Sequence, residues 1–104
     1  MPKTALTFQP QLLDPHTLTP QPVSPKNGRS FKLAQLYEVL DCQRVEVVWL
    51  TQELILLTDE ESKFQNPCYR NSLATALWYE HVPEVRGLDC IVGRAILCHD
   101  RQFR

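Results

Sequence analysis

Apolar residues change their spacing along this chain, and each change marks an element. After Ser30, a residue favoured at helix N-caps, Leu33, Leu36, Tyr37 and Leu40 recur at helical spacing. At about 100° per residue they share roughly a 100° arc that excludes Lys32, Gln35 and Glu38. The pattern predicts an amphipathic helix over 31–40, ended at Asp41-Cys42-Gln43. Spacing then shifts to two in Arg44–Leu50, where Val45, Val47 and Trp49 share a face. A polar turn at Thr51-Gln52-Glu53 leads into Leu54–Thr58, apolar on both faces, which predicts a hairpin whose second strand is central and covered on both sides.

Beyond an acidic loop, Asp59-Glu60-Glu61-Ser62-Lys63, the helical period returns. Asn71 caps a predicted helix running to about Val82, with Leu73, Ala74, Leu77, Trp78 and His81 on one arc and Ser72, Thr75, Tyr79 and Glu80 on the other. Pro83 stops it. Cys90–Cys98 reads as a last strand, in which Gly93 and Ala95 leave room for a close neighbour.

The N-terminal third is different. Six of the eight prolines lie in the first 25 residues, and residues 1–30 carry a net charge of +2 against −3 for the rest. Thr4–Phe8 alternates weakly and predicts a short strand; Leu12-Leu13 and Thr17-Leu18-Thr19 are candidate strand fragments broken by proline. Pro22-Val23-Ser24-Pro25 matches P-x-x-P, a pattern more common in linkers than in ligands. The expected organisation is a strand and Pro-rich arm over 1–30 and a compact α-β-β-α-β body over 31–104, one domain overall. The expected class is α+β: a small mixed β-sheet with two helices packed on one face and a Pro-rich N-terminal arm.

Composition narrows the function classes. At 104 residues, 43% apolar and 22% charged, the chain suits one folded domain. Net charge −1 and pI near 6.3 argue against a dedicated binder of nucleic acid or anionic membrane. No apolar run approaches the ~20 residues of a membrane span, and Met1–Phe8 lacks the pattern of a secretory signal, so a cytoplasmic protein is expected. In that compartment Cys42, Cys68, Cys90 and Cys98 are expected to be free thiols.

The pieces, in order, resemble a family of small phage, plasmid and bacterial proteins known as domain of unknown function 3846. The resemblance rests on Val45-Glu46-Val47-Val48, Asp59-Glu60-Glu61-Ser62, Asn71-Ser72-Leu73-Ala74-Thr75-Ala76-Leu77 and Asp89-Cys90-Ile91-Val92-Gly93, and covers roughly residues 33–98. It implies a strand, a helix, a hairpin, an acidic turn, an Asn-led helix and a closing strand. This chain has Asp41-Cys42 where a Gly pair is usual, Ser62 for a Gly and Arg94 for an acidic residue. The resemblance implies no activity, since the family has none established.

Candidate chemistry is sparse. Four Cys with His16, His81 and His99 lack any C-x-x-C or H-x-x-x-H spacing, so no metal site is expected. Cys90 and Cys98, on one strand, would stand about 26 Å apart. Cys68, beside Tyr69 and Arg70, is the best-placed nucleophile, while His81 reads as a residue serving its helix end. Asp59, Glu60 and Glu61 lack the alternation of a calcium loop and read as a solvated turn. Asn71 and Thr75, with Arg70 adjacent, form a helix start able to face an anion, although N-capping alone explains Asn71.

The leading expectation is a non-catalytic accessory protein of phage or mobile-element type that binds another protein. Its contacts would be a sheet edge, the polar side of the second helix, or the arm. The candidate binding residues are Arg70, Asn71, Thr75, Tyr79, Asp59, Glu60 and Glu61; no catalytic residue, metal or cofactor is expected. A homodimer through an edge strand is a further expectation. Two other classes stay open: a small-ligand or thiol-dependent catalytic domain using Asn71, Arg70, Cys68 and the acidic turn, and a nucleic-acid-associated protein using Arg94, Arg101 and Arg104 with Phe103.

Overall fold

A computed structural model describes residues 8–17, 19–65 and 67–103. The hairpin forms as its spacing requires. Strands β3 (Val45–Trp49) and β4 (Leu54–Asp59) pair antiparallel, Val47 opposite Leu57. Their turn has no glycine; Thr51 closes it by accepting the Glu53 and Leu54 N–H groups on its hydroxyl. The predicted last strand is shorter and later. Strand β5 is Ala95–His99, because Gly93 takes a left-handed φ of 79° and ends the extended run that 90–92 would begin. The glycine is needed for a second reason: a Cβ there would meet the Ser62 Cβ at 3.3 Å. Cys90 therefore lies outside the strand that holds Cys98.

The Pro-rich segment supplies the other edge. Strand β1 (Gln11–Leu13) contains Leu12-Leu13, as expected, and pairs with β5 and with a second strand, Gln21–Pro22 (β2). Proline is tolerated there because β2 is an edge. Residues 4–7 of the predicted first strand, like Leu18, lie outside the described residues. The sheet order is β2-β1-β5-β4-β3.

Two expectations are corrected within an α+β class that holds. All five strands pair antiparallel, so the sheet is not mixed. The helices also lie on opposite faces rather than one. Helix α1 (Leu33–Leu40) covers the face of Ile55, Leu57, Ile96 and Cys98, and α2 (Ser72–His81) covers that of Leu56, Ala95 and Val48. The reason is in β4 and β5, which are apolar on both sides; one layer of helices would leave one of those faces wet.

Helix α1 starts two residues later than expected, since Phe31 is drawn into a parallel bridge with Phe103 and is 1% exposed. Its buried side is Gln35, Leu36 and Leu40, while Leu33 and Tyr37 of the predicted stripe face solvent. Gln35 can turn inward because both ends of its amide are occupied: Oε1 accepts the Lys26 N–H at 3.0 Å and Nε2 donates to the Ser24 carbonyl at 2.9 Å. Asp41 ends the helix at φ 52°, a conformation short polar side chains tolerate. No helix among the described residues is long and apolar enough to cross a membrane.

Candidate functional site

Three of the candidate binding residues meet on one stripe of α2, and they hold the chain's own backbone. Asn71, Thr75 and Tyr79 are four residues apart, so they line up along the helix. Asn71 is fully buried; its Oδ1 accepts the Ala74 N–H as the N-cap, and its Nδ2 donates to the carbonyls of Leu13 and Gly93, each at 2.8 Å. The Thr75 hydroxyl accepts the Ile91 N–H and donates to the Ile91 carbonyl. Tyr79 donates to the carbonyl of Asp89 at 2.7 Å. The stripe thus clamps residues 89–93 against α2 and ties β1 to them. Arg70 is exposed and pairs with Val92 through backbone. Exposed His81 binds the Leu77 carbonyl at its helix end.

The clamped segment forms one wall of a cleft of roughly 540 Å³. Its floor is the α2-side face of the hairpin, with Glu46 and Val48 from β3 and Thr58 from β4. Trp78, Asp89–Val92, Lys63 and Phe64 complete its lining. Phe64 is 87% exposed, a large apolar side chain left in water. Lys63 and Asp89 form an ion pair across the rim. That hydrogen bond, then the Cys90 N–H, holds the Asp89 carboxyl below its ordinary value against a smaller opposing effect of burial.

Of the acidic triplet, Asp59 and Glu60 line this cleft and Glu61 does not. Asp59 is buried and internally satisfied, accepting the Glu61 N–H and the Gln65 amide. Its carboxylate lies with Val45 on the α1 side, near Cys42, so the cleft itself holds Glu46, Glu60 and Asp89 against Lys63, a formal charge of −2.

The cleft opens onto the free edge of β3. Glu60 N–H donates to the Arg44 carbonyl and Leu50 N–H to that of Leu54, which makes 44/60 and 50/54 hydrogen-bonded pairs. Bonding alternates along an antiparallel ladder, so Glu46 and Val48 also bond to β4. The N–H and C=O groups of Val45, Val47 and Trp49 therefore point away from the sheet. Among the described residues no strand pairs with that side. On its other face the edge carries a second groove, of roughly 260 Å³, lined by Val47, Trp49, Ile55, Asp100 and Phe103. Trp49 is 53% exposed.

The thiols stand apart from this surface except for Cys90, which lines the cleft. Burial, with the Asp100 charge added, pushes the Cys98 thiol up to about 12. Burial and then the charge of Asp59 raise Cys42. Neither is a ready thiolate. The exposed loop residue Cys68 is elsewhere. Among the described residues no group of His, Cys, Asp and Glu is placed to hold a metal ion. Arg94 is engaged with Asp14 and the Val39 carbonyl, and Arg104 lies outside the described residues.

A family model for a domain of unknown function (DUF3846) matches residues 11–103. The chain belongs to that family. The match includes the Pro-rich residues from Gln11, which in this DUF3846 member build β1 and β2. No curated protein and no solved structure matches the chain.

Sequence reasoning did not select Glu46, Trp49, Lys63, Phe64 or Trp78. The available signal was in β3: Glu46 is a lone acid inside an otherwise apolar run, and Trp49 ends that run beside a polar turn.

Proposed function

We propose that this protein is a non-catalytic, protein-binding accessory module of phage or mobile-element type, working in the cytoplasm and engaging its partner at the edge of β3. The observation that carries the reading is the outward-pointing backbone of Val45, Val47 and Trp49 beside a half-exposed tryptophan. An uncovered strand edge is a template for another strand, and folded proteins ordinarily blunt it with proline, charge or a covering element. The opposite edge is blunted in that way, by Pro22 in β2. Strand β3 has a glutamate on one face only and no proline. The self-satisfied Asn71, Thr75 and Asp59 favour a binding module over a site that performs chemistry. The family resemblance supports the phage-type setting.

The test is a photo-crosslinking amino acid at position 49, with one at exposed Gln21 on the opposite edge as control, in cells that carry the protein. A discrete protein adduct from position 49 is expected, absent from position 21 and lost when Val47→Pro is added. Equal adducts at both positions, or survival of the adduct in Val47→Pro, would refute the reading.

A further inference from the structure

We infer that the partner segment at this edge is an extended basic peptide. It adds beside β3, turns Lys or Arg side chains into the acidic cleft, and lays alternate apolar side chains in the groove on the other face. The inference rests on the edge reading above and specifies the chemistry of the occupant.

A strand's side chains alternate between faces, so a peptide paired with β3 meets two environments in strict alternation. On the α2 side it meets the cleft, where Glu46, Glu60 and Asp89 outnumber Lys63 for a formal charge of −2. There the carboxylates of Glu46 and Glu60 have no hydrogen-bond or ion-pair partner among the described residues. Trp78 and Phe64 supply aromatic surface, and a cation gains from both carboxylate and ring. On the α1 side the peptide meets Val47, Trp49, Ile55 and Phe103, an apolar surface with Asp100 at its margin. Val47, whose side chain packs on the α1 side, lines the cleft only by its backbone, so the cleft reaches the strand edge itself.

Charge decides among occupants. A second copy paired two-fold through β3 would bring both sets of Glu46, Glu60 and Asp89 onto one face, and like charges close across a ladder repel. An acidic strand or a nucleic-acid phosphate meets the same repulsion. A basic strand meets the opposite.

The experiment uses the full chain and fluorescein-labelled heptapeptides, read by anisotropy. An alternating Lys–Val peptide should bind, and more weakly as salt rises; an alternating Glu–Val peptide should not. Glu46→Gln with Glu60→Gln should weaken the Lys–Val peptide about tenfold. Val47→Pro removes an outward N–H without breaking the β4 ladder and should abolish binding, whereas Val47→Ala, which loses side-chain packing but keeps the N–H, should not. Two Lys–Val peptides N-methylated on odd or even amides test the pairing without altering the protein; only one should bind.

Equal binding of both charge types, or indifference to the Gln substitutions, overturns the basic specificity and leaves the edge reading standing if Val47→Pro still abolishes binding. Indifference to Val47→Pro and to both methylation patterns, or no binding by the Lys–Val and Glu–Val peptides alike, overturns both. A dimer in sedimentation that Val47→Pro dissociates, or tighter binding of a single-stranded oligonucleotide, overturns the peptide assignment.

Discussion

Replacing Asn71 by alanine would remove the acceptor of the Ala74 N–H and the donors to the Leu13 and Gly93 carbonyls in one step. A lost N-cap and carbonyls left without a partner together cost about 2–4 kcal/mol, which urea unfolding should register as a lowered midpoint at unchanged slope. Thr75→Val keeps the shape but leaves the buried Ile91 N–H unpaired, for a smaller loss of about 1–3 kcal/mol. A loss under about 1 kcal/mol for Asn71→Ala would mean that the clamp on 89–93 is not structural. Cys98 gives a second prediction at this scale. Its thiol is raised from 9.0 to about 12, so the folded chain keeps the proton over a range in which the unfolded chain loses it. Cys98 therefore leaves stability unchanged below pH 9.0 and lowers it as the pH climbs from there toward about 12. At pH 8 iodoacetamide should modify exposed Cys68 and spare buried Cys98, as mass mapping of the native protein would show; equal labelling would contradict the burial.

Amide side chains tie the N-terminal segment in place by donating to its backbone carbonyls. The arm's carbonyls at Phe8, Leu13, Val23 and Ser24 are bound by Gln102, Asn71, Gln9 and Gln35 respectively. Gln35→Ala should release residues 24–26 from α1, and the Lys26 amide, which Gln35 accepts, should exchange with solvent markedly faster while β4 amides keep their protection. Unchanged exchange at Lys26 would show that the arm is held without it. The same interaction explains what the sequence made legible and what it did not. The hairpin, the Asn71 cap and the Pro83 stop were readable because each depends on residues within a few positions. Helix α1 was located but rotated, since a glutamine's burial depends on partners eleven positions back in the arm. The last strand was placed early because nothing local shows that Gly93 must turn left-handed against Ser62. The opposite-face packing was implicit in the two-sided apolar run of Leu54–Leu57. At the candidate site, Asp59 and Glu60 were reachable from sequence. Glu46, Lys63 and Trp78 were not, because the cleft joins the hairpin to a segment some thirty residues further on only after α2 has folded back.

At the scale of the whole molecule, the sheet has one edge closed by a proline strand and one that no strand pairs with among the described residues, with an acidic cleft and an apolar groove on the two sides of the latter. That asymmetry is the basis of the functional account, and an NMR titration of the isotope-labelled chain with the alternating Lys–Val peptide addresses it directly. The backbone amides of Val45, Val47 and Trp49 should shift first and most, followed by the Trp78 indole N–H, with Gln21 at the opposite edge unmoved. Saturable shifts centred on the β2 edge, on α2 near Tyr79 or on the Arg70 loop, with β3 silent, would contradict it.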